Sequence, residues 1–192
     1  MRIIAIIVAL CLVPVWAQMD AGSAAAQESH RTVAQQIDEA FVTLQNDLNR
    51  RTAKNAERRI IQLWLESGSD TVDLLMSWTL RAMDEEDYPL ALDYLDRIII
   101  MKPDYAEGWN KRATVFFLSD EYAKAISDIE QVLALEPRHF GALSGLGMML
   151  GEIGEPQQAI DVYREALAID PLLDNVREAL DELLSETAGT DI

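Results

Sequence analysis

Few side chains of this sequence have the types and spacing that catalysis needs. The 192 residues include two histidines and one cysteine, and neither His30 nor His139 lies in a metal-ligand or nucleophile motif. His139 follows Pro137 in a predicted turn, where a solvated or capping side chain is the favoured interpretation. Ser144 has Ala142 two positions before it, so it does not match the glycine-flanked serine of hydrolases. The sequence therefore predicts no catalytic residue.

Two other patterns allow a binding interpretation beside a structural one. Gly145 and Gly147 have part of the spacing of a nucleotide-binding loop, but no predicted strand precedes them and close helix packing explains Gly147. Residues 84–87, Asp-Glu-Glu-Asp, lack the alternating positions of a calcium loop, so a solvated acidic turn is favoured. We therefore expect no cofactor and no metal site, and we do not expect an enzyme.

The charge balance disfavours other partner classes. With 33 acidic residues against 16 Lys and Arg, the formal net charge is −17. Nucleic acid is not an expected partner, because phosphate binding requires clustered positive charge. A single cysteine cannot build a disulfide framework. A hydrophobic content of 49% is enough for a globular core.

The first residues have the organisation of a secretory signal peptide. Arg2 precedes an apolar run over residues 3–13, and a proline then interrupts the run before small residues at a cleavage point. This run is shorter than the roughly 20 residues of a membrane-spanning helix. We predict a signal peptide at residues 1–17 and a flexible leader at 18–30, with no transmembrane span after cleavage. Cleavage after Ala26 and retention as an anchor remain alternatives.

A period of 34 residues organises the middle of the chain, and a fixed period of this size identifies repeat architectures. Each copy has two apolar-periodic segments of helical length. Small residues in two columns let the paired helices approach closely, and each proline lies just beyond a second helix, where its missing N–H ends the helix. The columns are Pro103, Pro137 and Pro171; Ala91, Ala125 and Ala159; Leu75, Trp109 and Leu143; Thr79, Ala113 and Gly147; and Leu95, Ile129 and Tyr163.

The third copy carries the motif most completely. It reads Leu143-x2-Leu146-Gly147-x2-Leu150, then Ala159-x3-Tyr163 and Pro171. This order resembles the tetratricopeptide repeat (TPR) family, whose pattern is W-x2-L-G-x2-Y, then A-x3-F, then P. The resemblance implies an all-α, right-handed superhelical solenoid of TPR helix hairpins with a C-terminal capping helix. The predicted segments are a degenerate helix pair at 31–70, repeats at 72–105, 106–139 and 140–173, a capping helix at 174–187 and a frayed tail at 188–192.

Two positions depart from the family pattern. Arg112 lies where the pattern has leucine, and we hypothesise that it bonds Asp128 on the facing helix. In the N-terminal pair, Phe41 and Leu44 fall on large-residue columns, but Glu57 occupies the small-residue column. We therefore predict that this pair is a degenerate first repeat.

In the resembled family, the first helices of successive repeats line a concave groove that binds extended peptides or helices. The methionines among the corresponding residues suit adaptable apolar binding. The alternative is that the N-terminal helix of this chain, or a second copy, covers them. Carried over column by column, the groove residues are Met76, Leu80, Met83, Asn110, Thr114, Phe117, Ser144 and Met148.

The same columns argue against one type of family ligand. Family members that clamp a C-terminal carboxylate use Lys, Arg and Asn there. In this sequence only Asn110 remains, and the other clamp columns hold Met76, Leu80, Gly141 and Gly145. We predict that the groove has no carboxylate clamp of that type.

A cluster of positive charge lies near the N-terminal pair. One interpretation is a docking patch for an acidic partner or anionic head groups. The favoured interpretation is charge balance within the chain, with Glu66, Asp70 and Asp73 as partners. The cluster comprises Arg50, Arg51, Lys54, Arg58 and Arg59.

At the level of function, the sequence resembles the small periplasmic TPR proteins of Gram-negative bacteria. The resemblance implies a periplasmic, non-enzymatic adaptor or scaffold that binds a protein or peptide partner in cell-envelope assembly or integrity. A periplasmic holdase-like chaperone and an obligate subunit of an export or cell-wall complex are the alternatives. One fold serves many partners, so the partner and the oligomeric state stay open at this stage.

Overall fold

The structure is a computed structural model that describes residues 32–190, with side chains described as far as residue 187. The predicted signal peptide at 1–17 and leader at 18–30 lie outside the described residues. From Ile37 onward, the described residues belong to one compact unit.

Within residues 32–190 the secondary structure is entirely helical, which confirms the predicted all-α class. Each helix is amphipathic and buries one apolar stripe. In chain order the helices are α1 (Val33–Asn46), α2 (Arg50–Leu65), α3 (Asp70–Asp84), α4 (Tyr88–Met101), α5 (Ala106–Leu118), α6 (Tyr122–Leu135), α7 (Phe140–Glu152), α8 (Pro156–Ile169) and α9 (Asp174–Thr190).

Three helix hairpins, α3–α4, α5–α6 and α7–α8, form the body of the fold. Their second helices begin at Tyr88, Tyr122 and Pro156, and so keep the 34-residue spacing. Proline starts α8 at the position where its missing N–H has no helical partner. The conserved spacing of helix starts agrees with the repeat pattern read from the sequence.

Small residues set the close approach of the paired helices. Ala91, Ala125 and Ala159 are fully buried in the second helices. On α7, a Cβ atom added at Gly147 would overlap the ring of Tyr163 on α8. The absence of a side chain at this position therefore lets Tyr163 pack directly on the α7 backbone.

The hypothesis for Arg112 is confirmed. Its Nε and Nη2 donate to the two carboxylate oxygens of Asp128 at 2.7 and 2.8 Å, and its Nη1 donates to Asp96 at 2.7 Å. The hydrogen bond to Asp128, despite the opposing effect of burial, raises the pKa of Arg112. A bidentate ion pair thus joins α5 to α6 where the family pattern has an apolar contact.

The C-terminal helix stacks on the third hairpin. Val176 and Leu180 of α9 share a buried cluster with Tyr163 and Ala166 of α8. The helix continues to Thr190, beyond the predicted end of the capping helix at residue 187. Most of the predicted frayed tail is therefore helical backbone, and residues 191 and 192 lie outside the described part.

The N-terminal pair is present where it was predicted, but it does not occupy the place of a first repeat. Phe41 of α1 and Trp64 of α2 meet with ring centroids 6.0 Å apart. Their cluster includes Phe140 and takes in Ile169, Leu172 and Leu173. The cluster around α3, in contrast, is built from α3, α4 and the α5 hairpin. The pair therefore packs on the turns beside the third hairpin instead of stacking before α3.

Candidate functional site

A cavity of about 80 Å³ opens between α5 and α7, the first helices of the second and third hairpins. Helix α6 supplies part of its floor. This is the position where the family resemblance implies a groove. Its lining residues are Asn110, Ala113, Thr114, Phe117, Ile129, Gly141, Gly145, Met148 and Met149.

Half of the predicted groove residues come together here. Asn110, Thr114, Phe117 and Met148 all line the cavity. The other half lie elsewhere. Met76 is buried, 3% exposed, in the core of the first hairpin, which corrects its placement on an accessible groove surface.

The remaining three predicted residues are also outside the cavity lining. Met83 packs partly buried against the first hairpin's core, and Leu80 is exposed on α3. The Ser144 hydroxyl donates to the backbone oxygen of Phe140 at 2.6 Å, so it serves its own helix. The cavity therefore belongs to the second and third hairpins.

Polar groups at the cavity bond to their own helix. The Thr114 hydroxyl donates to the Asn110 carbonyl oxygen at 2.9 Å. The Asn110 amide nitrogen donates to the Glu107 carboxylate, also at 2.9 Å. One amide N–H of Asn110 and the Thr114 hydroxyl are engaged in this way, and most of the other lining residues present methyl, thioether and aromatic surface. Such a surface favours an apolar side chain of a ligand.

Two glycines leave one wall of the cavity bare. A Cβ atom at Gly145 would meet no atom within 4 Å, and one at Gly141 would lie 3.4 Å from His139. Gly145 therefore does not serve internal packing, in contrast to Gly147. The sequence interpretation treated Gly141 only as a missing clamp residue and Gly145 also as part of a disfavoured nucleotide-loop spacing, and it missed Met149 on the floor. The bare wall had a signal in the sequence, since glycine is unfavourable inside a helix without a packing reason.

A buried polar cluster lies at the N-terminal ends of the two wall helices. Glu107 accepts from His139 Nε2 at 3.1 Å and pairs with Lys111 at 2.7 Å. Burial raises the pKa of Glu107, but the hydrogen bond from His139 and the charge of Lys111 outweigh burial and bring this pKa to about 2. His139 Nδ1 accepts from the Ala142 N–H at 3.0 Å. His139 is thus a buried N-cap of α7, and Nε2 carries the proton. The capping half of the favoured interpretation is confirmed, and the solvated half is wrong because the side chain is only 3% exposed.

The N-terminal pair contacts this cluster and the neighbouring turns. The Trp64 ring stacks on His139, with centroids 4.1 Å apart and an interplanar angle of 9°. The Tyr105 hydroxyl donates to the Leu65 carbonyl oxygen at 2.9 Å, and Arg138 pairs with Asp38 at 2.8 Å. The N-terminal pair therefore contacts the chain at the N-terminal ends of both α5 and α7.

The basic cluster is largely balanced within the chain. Arg50 pairs with Asp174 at 2.5 Å and Lys54 with Glu57 at 2.6 Å. Arg59 lies 3.9 Å from Glu66, one of the three predicted partners. Asp70 and Asp73 do not supply the other partners: the Asp73 carboxylate accepts from the backbone of Ser67.

The other two residues of the basic cluster do not take part in these three ion pairs. Arg58 contacts Asn55 on its own helix, and Arg51 is exposed at the start of α2. Both lie on the outer surface of the pair. The favoured charge-balance interpretation therefore describes three of the five residues.

Two further classes of site, for a metal ion and for a membrane, concern residues 32–190, the part of the chain that the structure describes. There, no three His, Cys, Asp or Glu side chains come together in a way that would hold a metal ion. None of the described helices combines the length and the apolar composition of a membrane span.

Solved structures with the same fold include peptide-binding domains. The first TPR of Spaghetti (RPAP3), bound to the HSP90 peptide SRMEEVD, aligns with a TM-score of 0.59 at 20% identity and covers 61% of this chain and 93% of that one. The Sgt2 TPR domain from Aspergillus fumigatus aligns with a TM-score of 0.60 at 20% identity, covering 64% and 83%. At these identities the likeness concerns the fold.

Sequence comparison identifies the family as well as the fold. Tetratricopeptide repeat models match residues 79–139 and 119–173. A TPR repeat-containing protein of Rhizobium etli is 41% identical over 155 residues, which cover 81% of this chain and 76% of that relative. With the 34-residue hairpins, the buried small-residue columns and this degree of identity, the chain belongs to the tetratricopeptide repeat family.

Proposed function

We propose that this chain is an exported, periplasmic and non-enzymatic adaptor that holds a peptide segment of a partner protein, in cell-envelope assembly or integrity. The observation that carries the proposal is the open, largely apolar cavity between α5 and α7. Export is supported by the signal-peptide pattern of residues 1–17.

The binding chemistry follows from the walls of the cavity. Phe117 and Met148 offer aromatic and thioether contacts, and the bare backbone at Gly145 lets a ligand approach α7 closely. One amide N–H of Asn110 and the hydroxyl of Thr114 donate within α5. The ligand is therefore a segment that inserts one apolar side chain, such as a strand or an amphipathic helix.

The fold of related structures supports a peptide ligand in general terms. The RPAP3 domain is described in complex with a peptide, and it shares this fold. The chemistry of the ligand proposed here differs, because the clamp columns hold Met76, Leu80, Gly141 and Gly145.

Filling the cavity tests the proposal. Gly145→Leu adds a side chain in open space, so it blocks the cavity without a clash. Gly145→Ala is the matched control, because it gives a similar gain in helix propensity but leaves most of the cavity open. Both variants should be more stable than wild type by about 1 kcal/mol. Capture of partners from an envelope fraction, quantified by mass spectrometry, should fall at least about tenfold only for Gly145→Leu.

If Gly145→Leu retains the partners that wild type and Gly145→Ala capture, the cavity is not the binding site. A second measurement tests the chemical class of the ligand. Titration with the peptide SRMEEVD should give no saturable binding up to about 100 µM, because the positive clamp side chains are missing. Tight binding of that peptide would contradict the proposed apolar ligand.

Export has its own measurement. The proposal expects the protein in the periplasmic fraction, with a new N-terminus at Gln18 or at Gln27. N-terminal sequencing of the protein from each fraction reads the site directly. An intact Met1 terminus in the cytoplasmic fraction would remove the envelope setting but leave the peptide-binding cavity untouched.

A further inference from the structure

Negative charge is concentrated where the first helix of each hairpin ends and turns into the second. The three segments are residues 84–87, 118–121 and 152–155. Eight of these twelve residues are Asp or Glu, and none is Lys or Arg. The turns are also alike in shape, because their third residue has left-handed backbone in each: φ is 57° at Glu86, 58° at Asp120 and 82° at Gly154. The array therefore repeats one acidic turn along one of its edges.

The opposite edge of the hairpins differs in charge. There, each hairpin is joined to the helix that follows it by residues 102–105, 136–139 and 170–173. These twelve residues hold three acidic and two basic side chains, and one of the bases, Arg138, pairs with both Glu136 and Asp38. One edge is thus strongly acidic, while the other is nearly balanced.

The cavity between α5 and α7 extends towards the acidic edge. Phe117, which lines the cavity, meets the Tyr122 ring edge-on with centroids 5.8 Å apart. The Tyr122 hydroxyl donates to Glu152 at 2.7 Å and lies 3.4 Å from a carboxylate oxygen of Asp120. Glu152 also follows the lining residue Met148 by four positions, which places both on one face of α7. Asp120 and Glu152 therefore border the C-terminal end of the cavity.

Within residues 32–187, neither of these two carboxylates has a cationic partner. The nearby cations pair with other carboxylates: Lys111 with Glu107, Arg112 with Asp128, and Lys124 with Glu121. The last turns of α5 and α7 contain no basic residue, although the C-terminal end of a helix itself carries partial negative charge. The helix ends and the two carboxylates thus give this side of the cavity a negative potential.

We infer that the segment bound in this cavity is cationic, with Lys or Arg beside its apolar anchor, and that these cations contact Asp120 and Glu152. The inference rests on the function proposed above and names the class of its ligand. A chain of net charge −17 attracts basic segments and repels acidic ones. The two carboxylates at the end of the cavity determine where the basic side chain lies.

The structure also sets the spacing within the ligand. Along α7, Glu152 lies four residues beyond Met148 and seven beyond Gly145, which is about 6 to 10 Å along the helix axis. An extended ligand covers this distance in about two or three residues, and a helical ligand in about four to seven. The basic residue should therefore follow or precede the apolar anchor at one of these spacings.

Selection from a random library of phage-displayed peptides, each about 12 residues long, tests the inference on the immobilised full chain. Enriched peptides should combine an apolar residue with Lys or Arg at the stated spacing, and Asp and Glu should be depleted relative to the starting library. Gly145→Leu, which blocks the cavity, should lose these peptides, whereas Gly145→Ala should keep them.

A double variant tests the two carboxylates themselves. Asp120→Asn, Glu152→Gln removes both charges but keeps side-chain size, and asparagine tolerates the left-handed backbone at position 120. By fluorescence anisotropy it should bind the enriched peptides about five- to tenfold more weakly than wild type, and added salt should narrow this difference. Far-UV circular dichroism verifies that the variant is folded.

The matched control is Asp181→Asn, Glu182→Gln, at two exposed positions of α9. It changes the net charge by the same amount and should bind the enriched peptides as wild type does. An equal loss of affinity in both double variants would reduce the preference to net charge alone. No loss in the Asp120→Asn, Glu152→Gln variant would exclude the two carboxylates as the contact.

The peptide selection separates this inference from the function on which it rests. Enriched peptides that need an open cavity but lack Lys and Arg would overturn the inference and leave the peptide-binding cavity in place. Peptides that bind Gly145→Leu as tightly as wild type would contradict the cavity as the binding site, and both proposals would fail. A library without any enriched peptide would count against both as well.

Discussion

The helices at the two ends of the hairpin array behave differently. At the C-terminal end, α9 continues the register: Val176 and Leu180 pack on Tyr163 as the first helix of a further repeat would. At the N-terminal end, α1 and α2 leave the register, and Trp64 packs beside Phe140, far along the chain. Both ends are amphipathic helices, so amphipathic character alone does not decide the docking place.

The small-residue column explains much of this difference. Ala91, Ala125 and Ala159 let each second helix lie close to its first helix. The corresponding residue of α2 is Glu57, which is buried and paired with Lys54. A long charged side chain there prevents a tight hairpin between α1 and α2, and the pair uses the rings of Phe41 and Trp64 instead.

The largest expected effect is at Trp64, whose ring packs the N-terminal pair against His139 and Phe140. Trp64→Ala removes the ring that packs on His139 and Phe140, and loss of such a buried aromatic should lower the free energy of unfolding by about 4 kcal/mol. Hydrogen exchange should show that α1 and α2 lose protection while the three hairpins keep theirs. Urea denaturation gives the total loss.

Trp78→Ala is the matched control, because Trp78 is half exposed on the first hairpin. Its loss should lower the free energy of unfolding by about 1 kcal/mol. If Trp64→Ala leaves the protection of α1 and α2 intact, the described packing of the pair on the turns is wrong.

The next largest effect concerns the packing inside a hairpin. Gly147→Ala places a methyl group against the Tyr163 ring and should lower the free energy of unfolding by about 2 kcal/mol. Gly145→Ala, two positions away on the same helix, should raise it by about 1 kcal/mol. Thermal unfolding of both variants shows whether each substitution raises or lowers the free energy of unfolding. Equal effects at the two positions would contradict the close approach of α7 and α8.

The ion pair of Arg112 with Asp128 also holds together the two helices of one hairpin, α5 and α6. Asp128→Ala leaves the Arg112 guanidinium with Asp96 as its remaining partner and should lower the free energy of unfolding by about 2 kcal/mol. The double variant Arg112→Leu, Asp128→Ala should recover most of this loss, since leucine restores the apolar contact of the family pattern. Urea denaturation of the singles and the double measures the coupling. No coupling would mean that the pair does not hold the hairpin together.

The smallest expected effect is on the pH dependence of the free energy of unfolding. It concerns Glu107, which contacts His139 where the N-terminal pair meets the hairpins. The pKa of Glu107 falls from its usual 4.5 to about 2 in the folded chain. Its ionised form therefore stabilises the fold above about pH 4.5, and this contribution is lost as the pH falls towards 2. Glu107→Gln should be less stable at pH 7 and should show a shallower loss between these pH values. Glu130→Gln, at an exposed position of α6, should keep the wild-type slope in urea denaturation.

The hairpins were predictable because their information is local and repeated. The proline and alanine columns fix where helices end and which faces meet, and the bond of Arg112 to Asp128 follows from register alone. The groove was only half predictable. Family columns located Asn110 and Phe117, but they assigned Met76 to a surface although it fills the core of the first hairpin.

The docking of the N-terminal pair could not be read from the sequence. Its contacts join residues that are distant in the sequence, from Leu65 with Tyr105, 40 positions apart, to Arg50 with Asp174, 124 positions apart, and no period links them. The stacking of Trp64 on His139 likewise depends on tertiary placement. A lone histidine in a turn indicates capping at most, and nothing in its neighbours points to an aromatic partner.

The wall formed by α7 also has a consequence for motion. Its 13 residues include four glycines, at 141, 145, 147 and 151, which lower its intrinsic helix stability by about 4 kcal/mol relative to alanine. This helix therefore depends on its neighbours for its folded state, whereas α5 has one glycine. Amide exchange should open α7 before α5, and a bound segment that bridges both helices should slow the opening of α7 more than that of any other helix in the array.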